Sequence, residues 1–124
     1  MPRILLIDDD ALLRETVHQL LALDGHEVSE AEDGDIGVRL LREGLSVDLV
    51  ITDMLMPVMD GAKVIVEVRK LHPHLPVIAI SGGRRLLTLQ FSLDTALLSG
   101  AAQLLPKPFG RAALQAAVRA ALPG

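Results

Sequence analysis

The chain has 124 residues, 50% of them hydrophobic, a formal net charge of −4 and no Cys, Trp or Tyr. That length suits one domain with one substantial core, the acidity argues against a general nucleic-acid surface, and the absence of Cys removes disulfides, thiolate metal sites and a cysteine nucleophile. No apolar run reaches membrane-spanning length, and Asp8-Asp9-Asp10 interrupts the apolar start that a secretory signal requires, so the expectation is a single domain over 1–124 in the cytoplasm, without membrane contact.

Residues 3–7 (RILLI) read as a first strand, followed at once by three acids. Asp10 can cap a helix starting near Ala11, in which Leu12, Leu13, Val17, Leu20 and Leu21 recur at helical spacing up to a stop at Gly25. A second strand covers about 27–31, and Asp33-Gly34 turns the chain into a second helix with Ile36, Val38, Leu40 and Leu41 apolar and Gly44 as its stop. A third strand over about 48–52 ends at Asp53 within the stretch ITDMLMPVMDG, residues 51–61. Pro57 blocks both a strand and a helix interior there, so the stretch reads strand, exposed acid, stiff loop, helix. The third helix runs over about 61–71 with Val64, Ile65, Val68 and Leu71 inward, and His72-Pro73-His74 ends it. A fourth strand over about 76–80 leads to Ser81-Gly82-Gly83, a fourth helix lies within 86–99, a fifth strand over about 102–106 leads to Lys107-Pro108-Phe109, and an Ala-rich fifth helix covers about 110–122 with Leu114, Val118 and Leu122 inward.

Five strand–helix repeats with short apolar strands imply a parallel sheet covered by helices on both faces. Right-handed crossovers make it doubly wound, and the common flavodoxin-like order for five strands is 2-1-3-4-5. In that order strands 1 and 3 are neighbours, and their carboxyl ends form the switch point where ligands bind.

Asp8, Asp9 and Asp53 then share one rim with Ser81 and Lys107. Like charges about 4 Å apart repel by roughly 4 kcal/mol at an effective dielectric of 20, so three carboxylates need a cation. Oxygen-only ligands point to Mg²⁺, and Lys107 offsets part of the remaining charge. Asp10 is more simply a helix cap. His18, His26, His72 and His74 fall away from the rim, and Arg84 and Arg85 read mainly as a solvated helix start.

With ILLIDDD, D-x-x-M-P-x-x-D-G at 53–61, a Ser after strand 4 and K-P-F at 107–109, the chain resembles the receiver domain of two-component response regulators, of the chemotaxis-regulator type, from Arg3 to about Leu122. The resemblance implies that Asp53 accepts a phosphoryl group from a histidine kinase or phosphotransfer protein. It implies Asp9 as a direct Mg²⁺ ligand, Asp8 acting mainly through water, and the carbonyl of Leu55 as a further ligand alongside Asp53. Ser81 would donate to the phosphoryl group, and Lys107 would pair with one of its oxygens, with a cis bond to Pro108. Such a protein catalyses only its own phosphorylation and dephosphorylation, and it signals through a surface of helix 4, strand 5 and helix 5 to a protein target or a second copy, without direct nucleic-acid contact. The surplus apolar residues Leu87, Phe91 and Leu98, next to small-sided Ala113, Ala116, Ala117 and Ala120, suit that surface; alternatively the segment folds its leucines back onto the site.

Two features depart from the family pattern. Leu104 stands three residues before Lys107, where receivers carry an aromatic, and the stretch between Ser81 and Lys107 is about one helical turn longer than usual. Leu104 favours an alternative from another class, a phosphorylation-independent pseudo-receiver serving as an interaction module. Three acids after strand 1 would repel the phosphate of a flavodoxin-like cofactor, and Leu55 stands where a phosphatase acting on outside substrates would carry a second carboxylate.

Overall fold

The computed structural model describes residues 2–54, 61–81 and 100–122, with Ser81 described by its backbone. Five parallel strands, β1 (Arg3–Ile7), β2 (Glu27–Ala31), β3 (Leu49–Asp53), β4 (Val77–Ser81) and β5 (Gln103–Pro106), pair in the order β2-β1-β3-β4-β5. Around them lie α1 (Ala11–Leu23), α2 (Gly34–Arg42), α3 (Gly61–Leu71) and a C-terminal helix (Arg111–Ala121). This is the doubly wound flavodoxin-like architecture that the strand–helix alternation predicts. The fourth helix expected within 86–99, with Leu87, Phe91 and Leu98, lies outside the described residues, as do Leu55, Pro57, Asp60 and the stretch Gly82 to Arg85.

Alternate residues of each strand serve opposite faces of the sheet. Leu5, Ile7, Val50, Val77 and Ala79 pack under α2 and α3, whose Val38, Leu41, Val64, Ile65 and Val68 are buried against them. Ile4, Leu6, Ile51, Ile78 and Ile80 face the other way, under Val17 and Leu21 of α1 and Leu114 and Val118 of the C-terminal helix. Continuous apolar strands are the expected result of burial on both faces. On the first face α2 approaches the sheet so closely that a Cβ on Gly37 would fall 2.4 Å from Cδ1 of Ile7, so a larger residue there requires the Ile7 side chain to move.

The helix starts follow their caps. Asp10 Oδ1 accepts from the backbone N–H of Leu12 and Leu13, and Asp33 Oδ1 from that of Ile36, each worth about 1 kcal/mol. Gly25 and Gly44, just past α1 and α2, have φ of 87° and 107°, a conformation that favours glycine. At the amino ends of the strands, Leu41, Leu45, Val47, Leu71 and Leu75 line a groove of about 370 Å³.

Several expectations need correction. β3 ends at Asp53 as expected, but Asp53, read as an exposed acid, is buried and pairs opposite Ile80. Leu12 is 76% exposed. With 3.6 residues per turn, Leu12 stands on the opposite side of α1 from the buried Leu21, on the solvent face it shares with the exposed Leu23. Of the alanines read as one small partner-facing surface, Ala113, Ala116 and Ala120 are exposed as that reading requires, whereas Ala117 is buried in the core; Leu122 is half-buried and packs against the same core, as expected.

Candidate functional site

β1 and β3 deliver their acids side by side. Ile7 pairs with Thr52, so the residues that follow, Asp8 and Asp53, emerge together at the carboxyl end of the sheet. Carboxylate oxygens of Asp8, Asp9 and Asp53 lie within 4.8 Å of one another. Asp8 and Asp53 are buried and Asp9 is exposed. From the far side Lys107, the residue after β5, places Nζ 3.2 Å from Asp53 Oδ2. The peptide bond between Lys107 and Pro108 is cis, as the resemblance implied.

The backbone beneath the acids is fixed. The N–H of Asp8 donates to the carbonyl of Ala31 at 3.1 Å and that of Met54 to the carbonyl of Ile80 at 3.0 Å. Thr52, fully buried, donates its hydroxyl to the carbonyl of Asp53 at 3.0 Å. Gly61 closes the far end of the loop, its N–H donating to the carbonyl of Met54 at 3.0 Å. A Cβ there would stand 2.5 Å from the Asp53 carbonyl oxygen and 2.7 Å from the Met54 Cα, so the Asp-Gly signal at 60–61 marks a close backbone approach as well as a helix start.

Asp8 carries the electrostatic load. Its Oδ1 accepts from the Asp10 N–H at 2.9 Å, but its Oδ2 is buried with no hydrogen-bond partner among the described residues. Burial above all, then the charges of Asp53 and Asp9, push its carboxyl from 3.8 up to about 6, against the opposing pull of the Asp10 N–H and of Lys107. An orphaned buried oxygen among three carboxylates is a donor set that a hard, oxygen-seeking divalent cation satisfies. Ser81, the last residue of β4, pairs opposite Pro106 in the ladder; its side chain and all of Leu55 lie outside the described atoms. The structure thus brings together four of the six predicted site residues, Asp8, Asp9, Asp53 and Lys107.

Sequence reasoning passed over Arg14. Its Nη1 donates to the carbonyl oxygen of Asp8 at 2.7 Å, and its Nε to Glu30 Oε1 at 2.8 Å. His18, read as remote from function, meets the other oxygen of Glu30 through Nδ1. Burial raises the Glu30 carboxyl, but the hydrogen bonds and charges of His18 and Arg14 outweigh it, and the net direction is down. One signal was available. A cation in the first turn of a helix opposes the helix dipole, so Arg14 required a partner.

The sequence matches the response regulator receiver domain over residues 4–119. It is 38% identical over 125 residues to the response regulator protein FleR of Pseudomonas aeruginosa, covering 97% of this chain and 24% of that one. The chain spans about half or less of the length of the first curated relatives it matches. Among solved structures, a response regulator receiver domain protein from Clostridium thermocellum superposes with a TM-score of 0.86 at 35% identity, over 98% of this chain and 94% of the other. The receiver domain of a sensor histidine kinase from Pseudomonas aeruginosa, with a magnesium ion coordinated in its active-site cleft, gives 0.85 at 29% identity over 97% and 96% of the two chains. Motifs, strand order, acid rim and relatives agree, and the chain belongs to the family of response regulator receiver domains of two-component systems.

Proposed function

We propose that this domain accepts a phosphoryl group on Asp53 from a histidine kinase or histidine phosphotransfer protein, and that the modification switches a protein-interaction surface. The observation that carries it is the Lys107 ammonium, 3.2 Å from Asp53 Oδ2, on the opposite side of a carboxylate that shares its rim with Asp8 and Asp9. An Asp53 oxygen attacks the phosphorus, the P–N bond to the donor histidine breaks, and the ring, protonated on its other nitrogen, leaves as neutral imidazole. The product is an acyl phosphate; attack of water on the same phosphorus returns the carboxylate and releases phosphate. Lys107 balances charge on the phosphoryl oxygens, and Ser81, at the end of β4, would donate its hydroxyl to one of them.

Asp9 is the exposed acid and the direct ligand for Mg²⁺ on this reading, with Asp8, Asp53 and the Leu55 carbonyl completing the protein's share. The magnesium-bearing receiver relative and the orphaned Asp8 oxygen support the choice of ion. Mg²⁺, when bound, would neutralise the phosphoryl oxygens and so make a weak carboxylate nucleophile competent. Residues 1–124 act as one receiver domain in the cytoplasm that turns over only its own phosphoryl group. Its output passes to a protein target or a second copy through the segment after β4, β5 and the C-terminal helix.

Incubation with acetyl phosphate and Mg²⁺ followed by intact mass measurement tests this. A gain of one phosphoryl group, lost in Asp53→Asn and in Asp9→Ala, is expected. Labelling of Asp53→Asn to the wild-type extent sinks the assignment. Leu104, half-buried against the core beneath α3, favours the second reading of a phosphorylation-independent interaction module, and a wild-type protein that never takes up phosphoryl would establish it.

A further inference from the structure

We infer that Arg14 is a positioning residue for the metal-binding turn, aiming Asp9 through the peptide plane that joins it to Asp8, with Glu30 as its anchor. The inference rests on the Mg²⁺ reading of the acid rim. The Asp8 peptide is held on its amino side by the ladder bond to Ala31 and at its side chain by the Asp10 N–H. Its carbonyl lies past the last residue of β1, and the hydrogen bond it accepts there is Arg14 Nη1 at 2.7 Å. The orientation of that carbonyl fixes the plane of the Asp8–Asp9 peptide and so the position of the Asp9 Cα; with the following peptide held by the Asp10 N–H on Asp8 Oδ1, the direction in which Asp9 leaves the backbone is set from both sides. Asp9 is exposed, without the burial that immobilises Asp8, so its aim depends on its backbone.

The guanidinium is well placed for that task. It is planar and presents its donors as a rigid fork, one prong on the Asp8 carbonyl and Nε on Glu30 at 2.8 Å. Glu30 sits near the end of β2, one residue before the Ala31 that holds the Asp8 N–H. His18, one turn further along α1, takes its second oxygen. Arg14 retains only 18% of its side-chain exposure, so the fork is packed as well as bonded. Groups that orient ligands in this way set metal affinity nearly as strongly as the ligands do. A lysine would keep the charge and lose the fork.

The test is Mg²⁺ titration of the full chain, followed by NMR at the Asp9 and Asp10 amides, alongside metal-free melting. Arg14→Met should weaken Mg²⁺ binding about tenfold, and Arg14→Lys should recover only part of it. Affinity within about twofold of wild type in a folded Arg14→Met protein, whatever its melting temperature, overturns the inference, because a merely structural arginine would lower stability alone. If Arg14→Met does not fold, Glu30→Ala decides at a half-exposed acid; about threefold weaker Mg²⁺ is expected, and unchanged affinity overturns the inference. A wild-type protein that shows no saturable Mg²⁺ response overturns the metal reading and this inference together. Wild-type binding with unaffected variants removes the inference alone.

Discussion

The two ends of one sheet differ more than its two faces do. At the amino ends of the strands, Leu41, Leu45, Val47, Leu71 and Leu75 line an apolar groove. At the carboxyl ends, a few residues along the same strands, the chain gathers three carboxylates and a lysine, with a buried acid oxygen that has no partner among the described residues. The central strands β1, β3 and β4 are apolar on both faces between those ends. The amino end contributes stability at little electrostatic cost, while the carboxyl end holds unfavourable charge in place for later use. Sites of this kind are where folded proteins carry destabilising groups.

The sharpest way to break the contrast is at Gly61, whose missing Cβ lets α3 start against the Asp53 backbone. Gly61→Val should cost about 3 kcal/mol or more through overpacking against backbone atoms that cannot turn aside, with Mg²⁺ binding lost as the acid rim is displaced. Urea unfolding and metal titration check both. Stability within about 0.5 kcal/mol of wild type would mean the loop yields easily.

Asp8 offers a smaller effect of opposite sign. Its carboxyl holds a proton up to about 6 in the folded protein against 3.8 unfolded, so between those values the folded state binds more protons and metal-free stability falls as pH rises. Asp8→Asn should therefore fall about 1 kcal/mol below wild type under about pH 4, where only its unpartnered amide counts, and exceed it by about 2 kcal/mol above about pH 6. Denaturant unfolding in EDTA from pH 4 to 8 shows this; a variant equal to wild type at pH 8 would remove the electrostatic load from Asp8. At the opposite end, Leu71→Ala removes a half-buried side chain of the groove and should cost about 1 kcal/mol, with Mg²⁺ affinity unchanged. A change in Mg²⁺ affinity there would show that the two ends communicate.

Much of the charged end was legible because few rules decide it. Apolar runs of strand length, each followed by a polar signal, fix where Asp8, Asp53 and Lys107 emerge, and the strand order brings them together. Asp53 was read as exposed, since an acid at a strand end usually meets water, although here it is buried and pairs opposite Ile80. Leu12 was counted with the apolar stripe of α1, but it falls off the period set by Leu13, Val17, Leu20 and Leu21 and faces solvent. Arg14 was missed for a different reason. It is one of 12 basic residues, and its meaning comes from Glu30 on the neighbouring strand, a pairing that no local spacing encodes.

The second face of the sheet has a consequence for the order in which the chain can mature. Its cover is divided between α1, which emerges before β4, and the helix Arg111–Ala121, which emerges after it. A nascent chain that has emerged only to the end of β4 already carries Ile78 and Ile80, but not yet Leu114 and Val118, which will bury them. Until that helix arrives, that half of the sheet is a sticky surface without its lid, the kind of exposure that draws chaperones to growing chains. When the helix docks, Arg111 and Gln115 both donate to Asp24 at the end of α1, so the later helix is latched directly to the earlier one.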